Sequence, residues 1–158
     1  MSQSPCPFTD EAAAKEGLVA WFTRCHRVCD DLWAEVESAV DRGDPSEILS
    51  TAVQFVNTTR KHLKAEEEVL FPMVGQATGM GAHGPVAVML MEHQQMKHLL
   101  TMVEENARGG SGDLVLDHGD TLLMLTQQHN IKEEQILYPM SEQFLSGQWP
   151  EIHRLLEI

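Results

Sequence analysis

The stretch HLKAEEEVLFPM, His62 to Met73, is written a second time as HNIKEEQILYPM, His129 to Met140. Six of the twelve positions are identical: His, Glu, Glu, Leu, Pro and Met. Repetition at a fixed spacing is the mark of a duplicated structural unit. The same shift of 67 residues, from His62 to His129, also lays His26 on His93. Histidine is only 8 of 158 residues. The pairs His26/His93, His62/His129 and Glu66/Glu133 at one common offset therefore point to a two-fold pseudo-symmetric metal site built from two helical hairpins.

Apolar periodicity supplies the helices around the repeat. From about Asp10 to Val40 the stripe Leu18, Phe22, His26, Cys29, Leu32 or Trp33, and Val36 recurs every three or four residues, as one face of a helix does. Thr9 offers a cap before the acidic Asp10 and Glu11, and Arg42-Gly43 a stop. A second start follows at Asp44-Pro45, with Glu47 placed to complete a capping box. Ile48, Ala52, Phe55, Thr59, His62, Glu66 and Leu70 form its inward stripe. Pro72 falls near the end, and Gly75, Gly79, Gly81 and Gly84 read as a loop. Pro85 restarts a helix carrying Met89, His93, Met96, Leu100 and Val103, stopped by Arg108-Gly109-Gly110. Ser111 or Asp113 caps a fourth, through Leu122, Leu125, His129, Glu133, Ile136, Met140 and Phe144, with Gly147 beyond it. Pro150, Ile152, Leu155 and Leu156 suggest a short fifth helix over about 150–157, laid on one end. The expected fold is all-α: an up-down-up-down four-helix bundle with that short C-terminal helix. One domain over residues 1–158 is expected, with its core bundle at about 10–146.

Composition narrows the partners. The formal charge is -13, with 11 Lys and Arg against 24 Asp and Glu. Nucleic acid or an anionic membrane would require basic patches, so neither is an expected partner. No secretory leader or long apolar span is legible, so a cytoplasmic location is expected, with the three cysteines under no obligation to pair.

His and Glu at i and i+4 share a helix face. His62/Glu66 and His129/Glu133 thus aim inward together with His26 and His93. Bare carboxylates in an apolar core are costly, so this layer needs cations or protons. If both glutamates bridge two octahedral ions, the six groups and an oxo or hydroxo bridge leave roughly one open position on each. Mixed nitrogen and oxygen ligation favours a pair of iron ions, with manganese or zinc as possible substitutes. A ferritin-like site would need ExxH motifs, a zinc protease HExxH, and an iron–sulfur or zinc knuckle CxxC; the sequence has none of them.

His26, the HxxxE of His62/Glu66, Glu92-His93, the HxxxE of His129/Glu133, the LFP and LYP endings and GPVAVMLMEH together resemble the hemerythrin-like family of HHE cation-binding domains. The resemblance covers about residues 12 to 145. It implies a non-haem di-iron centre on His26, His62, Glu66, His93, His129 and Glu133, the two glutamates bridging. Oxygen-carrying hemerythrins have a further histidine one turn before the position of His93; here that residue is Met89. The set of four histidines and two glutamates is closer to the hemerythrin-like domains associated with iron-centre repair, nitric oxide response and iron or oxygen sensing.

The expected function is a di-iron protein that binds a small ligand such as O2, NO or peroxide for sensing, buffering or stress response, as a monomer or homodimer. Two alternatives stay open. One is an enzyme that turns over peroxide or nitric oxide or donates iron for cluster repair; the other is a metal-stabilised structural or iron-sensing interaction protein. Glu67 and Glu134 are expected at the bundle rim, Met89, Met96, Met124 and Met140 in the core, and Tyr138, the repeat mate of Phe71, in a packing role. His83, His98, His118 and His153 read as surface or loop residues.

Overall fold

The computed structural model describes residues 15–156. All regular structure among them is helical. Helix α1 spans Leu18–Arg42, α2 Pro45–Ala65, α3 Phe71–Thr78, α4 Pro85–Arg108, α5 Gly112–Lys132, α6 Tyr138–Phe144 and α7 Trp149–Leu156. Single π-helical turns, Glu66–Leu70 and Glu133–Leu137, join α2 to α3 and α5 to α6. The bundle thus has four long rods: α1, α2 with α3, α4, and α5 with α6. In the contact pattern α1 packs on α2, α2 on α4 and α4 on α5, while α1 also meets α5 and α6. This is the expected four-helix bundle, with α7 as its short fifth helix. No described helix is long and apolar enough to cross a membrane.

The helix ends follow local chemistry. The expected start near Asp10 and its Thr9 cap lie outside the described residues; within them Gly17, at φ 114, interrupts the chain and α1 begins at Leu18. Gly43 ends α1 in the left-handed region that favours glycine, at φ 77. The Asp44 carboxylate accepts from Ser46 N at 3.0 Å, with Pro45 in the first turn. Glu47 accepts from the Arg42 guanidinium, so it ties two helices together across the turn. Ser111 Oγ caps α5 by accepting from Leu114 N at 3.3 Å.

The loop expected from Pro72 onward begins late. Helix α3 carries the chain through Pro72 to Thr78, with Gly75 buried inside it. A Cβ on Gly75 would strike the backbone of Gly81, whose N–H donates to Gly75 O at 3.0 Å. Gly75 therefore serves close approach rather than a turn. Proline interrupts a regular helix because its ring meets the carbonyl four residues back and it has no N–H to donate. The π turn relieves this: Phe71 N–H bonds back to Glu66 O and Tyr138 N–H to Glu133 O, five residues away, just ahead of Pro72 and Pro139.

Each π turn also inserts one residue into the helical register. After Glu133 the buried residues are Leu137, Tyr138, Ser141 and Leu145. The expected stripe through Ile136, Met140 and Phe144 has moved one residue along, leaving Ile136 and Phe144 exposed and Met140 half-buried. Met124 faces outward as well, on the exposed side of α5.

The core falls into two apolar clusters. One contains Leu18, Trp21, Phe22, Leu70, Phe71, Met89, Leu137 and Tyr138, and α7 closes its end with Ile152 and Leu156. The other contains Trp33, Val36, Phe55, Leu63, Met96, Leu100 and Leu122. His26, His62, His93 and His129, one on each long rod, fall between the two clusters. The Trp33 ring packs against α5 at Gly119, where any Cβ would overlap it. Gly119→Ala should therefore destabilise the fold by about 1–3 kcal/mol through overpacking. Urea unfolding checks this; an unchanged midpoint would show that the Trp33 ring can move aside.

Candidate metal centre

All six expected site residues meet in the layer between the apolar clusters. His26 comes from α1, His62 from α2, Glu66 from the first π turn, His93 from α4, His129 from α5 and Glu133 from the second π turn. None is more than 4% exposed. Their donor atoms form two groups suited to a metal ion, one of Glu66, His93, His129 and Glu133, the other of His26, His62 and Glu133. Within each group the atoms lie no more than 4.8 Å apart. The imidazoles pair accordingly, His26 with His62 at 4.8 Å between ring centroids and His93 with His129 at 4.9 Å.

Glu133 belongs to both groups. Its Oε1 is 3.1 Å from His26 Nε2 and 3.1 Å from His129 Nε2. Glu66 Oε1 lies 3.0 Å from His62 Nε2 and 3.5 Å from His93 Nε2. Despite these approaches, Glu66 Oε1, Glu133 Oε2, His93 Nε2 and His129 Nε2 are buried without a hydrogen bond. Each such orphan costs roughly 1–3 kcal/mol or more when charge is involved. Convergent imidazole nitrogens and carboxylate oxygens are a donor set that fits iron, manganese or zinc, and a cation would answer all four orphans at once.

Three further carboxylates, Glu92 and the two expected at the rim, Glu67 and Glu134, reach inward to orient the imidazoles. His93 Nδ1 donates to Glu67 Oε1 at 2.9 Å, and Glu67 is held by Lys97 at 2.8 Å. His26 Nδ1 donates to Glu134 Oε2 at 3.1 Å, and Arg27 donates to Glu134 at 2.9 Å. His129 Nδ1 donates to Glu92 Oε1 at 2.9 Å, with Lys132 on the other oxygen. A proton fixed on Nδ1 leaves the Nε2 lone pair of a neutral ring directed into the layer. Glu67 on His93 and Glu134 on His26 are mates at the 67-residue offset. The doublets Glu66-Glu67 and Glu133-Glu134 were the visible signal: the second glutamate of each stands about 100° round the helix, toward the neighbouring rod.

Tyr138 packs in the core, as its match to Phe71 implies, and it also brings a polar group to the site. In an unbroken helix, nine residues from His129 would turn it about 180° away. The extra residue of the π turn brings it inward, where its hydroxyl reaches His26, Glu66 and Glu133. Buried between those carboxylates, the phenol is pushed well above its ordinary pKa, first by burial and then by the negative charge of Glu133 and Glu66.

Protons and cations compete for this layer. For His129, burial favours the neutral ring, but the close Glu133 carboxylate, with Glu66 and Glu92, outweighs it and pushes the pKa up to about 9. For His26 burial is likewise overcome by hydrogen bonds to Glu133 and Glu134. Glu66 stays ionised well below the usual carboxylate range; its burial opposes this, and His62 with other hydrogen-bond partners reverses it. Glu134 is lowered chiefly by His26.

A helical bundle enclosing two donor groups that share one carboxylate is the architecture of a cation-binding protein. The chain belongs to the hemerythrin HHE cation binding domain family, whose pattern matches residues 17–141. It is similar in part to three iron-sulfur cluster repair proteins. YtfE of Escherichia coli O157:H7 is 42% identical over 45 residues, which are 28% of this chain and 20% of that protein. DnrN of Neisseria gonorrhoeae is 33% identical over 61 residues, 39% of each chain. YtfE of Pectobacterium carotovorum subsp. carotovorum (strain PC1) is 33% identical over 70 residues, 44% of this chain and 32% of that protein. The matched segments thus span less than half the length of these relatives. No solved structure matches the chain significantly.

A raised histidine pKa stabilises the folded state fully below the ordinary value of 6.5, and that contribution is lost as pH climbs toward the folded value. Chelated protein should therefore lose stability between pH 6.5 and about 9, the value to which His129 is pushed. Thermal melts across that range check it, and a chelated protein that grows more stable toward pH 9 would contradict the proton-held layer.

Proposed function

We propose that the chain holds two iron ions on His26, His62, Glu66, His93, His129 and Glu133 and supplies iron for the repair of iron–sulfur clusters. The single observation that carries the two-ion reading is Glu133, one buried carboxylate common to both donor groups. The repair reading is supported by the names of the partial relatives, each an iron-sulfur cluster repair protein.

Bound iron supplies Lewis-acid and redox chemistry at whatever positions the six donors leave open. The chain's own residues do the rest. His26 and His62 would hold one ion and His93 and His129 the other, with Glu133 common to both donor groups and Glu66 beside it. Glu67, Glu92 and Glu134 hold three imidazoles in their donor orientation. The partners Lys97, Lys132 and Arg27 anchor those carboxylates from the outer face. Because His26 and His129 also bind protons strongly against these carboxylates, protons can take over charge balance as a cation leaves. A reversible exchange of that kind suits a donor of iron.

Metal titration and transfer assays test this. Wild-type protein should take up two iron ions per chain, His26→Ala should retain one, and Glu133→Ala should weaken both. Iron-loaded wild type, given sulfide and reductant, should rebuild the cluster of a depleted iron–sulfur protein faster than Glu133→Ala does. Equal rates for the two would exclude donation from this centre. Separately, Glu92→Ala should lower iron affinity by about 10- to 100-fold, the usual cost of losing a ligand-orienting carboxylate; an unchanged binding curve would show that the Lys132–Glu92–His129 chain is idle.

A second reading rests on the enclosure. All six donors are buried between two apolar clusters, an enclosure that favours a ligand as small as O2, NO or peroxide over an organic substrate. Reduced, iron-loaded protein mixed with nitric oxide should then develop a new charge-transfer band, and spectral silence would remove this reading while leaving donation intact.

A further inference from the structure

We propose that Tyr138 is a seventh ligand of this centre, on the ion served by His26 and His62, and that the ion served by His93 and His129 has no counterpart to it. The inference rests on the two-ion reading above and extends it. The phenol oxygen is 3.0 Å from His26 Nε2, 2.9 Å from Glu66 Oε2 and 3.1 Å from Glu133 Oε1. Around one octahedral ion with donors at about 2.1 Å, neighbouring donor atoms are separated by the octahedron edge, about 3.0 Å. The hydroxyl keeps that donor-to-donor spacing with three donor atoms at once. A phenol has a single proton and can give it to only one of the two carboxylates. Hydrogen bonding therefore accounts for some of these approaches, whereas a shared cation accounts for all of them.

The placement is built into the backbone. The π turn Glu133–Leu137 ends at Tyr138, whose N–H returns to Glu133 O. The ring is locked between Phe22 at 5.2 Å and His26 at 5.5 Å, centroid to centroid, and is fully buried. Position 71, its mate at the 67-residue offset, is reached by the same turn after Glu66. There the residue is Phe, its ring against His93 at 5.4 Å, and it brings no oxygen. Tyr138 is the one tyrosine of the chain, so a phenolate signal has a single possible origin. On coordination the phenol O–H bond is exchanged for an oxygen–metal bond and the proton leaves to solvent, with no change in oxidation state. One ion would then carry a phenolate, whereas the other, beside the Phe71 ring, would have no such oxygen.

The test is spectroscopic. Full-length protein is loaded with ferrous iron, oxidised in air, and its iron content measured. The expected result is a phenolate-to-iron(III) charge-transfer band in the visible, with tyrosinate ring vibrations in resonance Raman spectra excited within it. Tyr138→Phe, which keeps the ring packing, should lose both at unchanged iron content. A wild type with two irons and neither signal, or a band that survives Tyr138→Phe, overturns the proposal. Where Tyr138→Phe holds less iron, the wild-type Raman spectrum alone decides. Iron content keeps the two readings apart: a chain that takes up no iron refutes the centre itself and this inference with it.

Discussion

Two carboxylates, Glu66 and Glu133, stand fully buried at mid-height in a helical bundle, and the neighbouring structure is arranged to make that tolerable. An ionised group in an apolar interior is costly unless paired and hydrogen-bonded. Four imidazoles face the two carboxylates, and three of those rings are themselves held from behind by carboxylates tied to Lys97, Lys132 or Arg27. Apolar clusters seal the layer on both sides. Charge thus alternates outward from the centre: carboxylate, imidazole, carboxylate, then a partly exposed cation. Each shell fixes the proton position and orientation of the one inside it, so donor geometry is set before any ion arrives.

The π turns are what bring this layer and its seal into register. Both begin at the inward glutamate and end just before a proline. Proline would otherwise break a rod that has to continue for another two turns to bury Val74 or Ser141 and Leu145. Widening the turn removes the clash, and the added residue rotates everything beyond it. Leu70 with Phe71, and Leu137 with Tyr138, are thereby turned inward as adjacent pairs.

This is also where the sequence stopped being legible. Periodicity, caps and the repeat were sufficient for four long helices, a short fifth one, and the six side chains that converge between them. His26, His62, His93 and His129 lie before a π turn or on rods without one, and Glu66 and Glu133 are the first residues of theirs, so simple spacing suffices for all six. Beyond the turns it failed by one residue, and Ile136 and Phe144 were expected inside when Leu137 and Leu145 are. Gly75 resembles a loop residue in sequence because a buried glycine in a helix has no local signature; its reason is Gly81, six residues on in the chain but in direct contact. Glu67 and Glu134 look like rim residues in sequence because spacing along one helix says nothing of the neighbouring rod to which a side chain reaches.

Duplication explains the likeness of the two halves but not their differences. Glu67 on His93 repeats as Glu134 on His26, and the π turns repeat in full. Two positions depart from the pattern. Glu92 orients His129, yet the residue 67 earlier is Cys25, a buried thiol that has no carboxylate to offer His62. Phe71 faces His93, yet its mate Tyr138 brings an oxygen to His26. The departures fall on opposite halves. One half gains a charged carboxylate behind an imidazole; the other gains a phenol among the donors. Two cations held here would meet different fields despite nearly identical backbones, because a field at this range is set by the nearest few polar atoms and not by the fold that carries them.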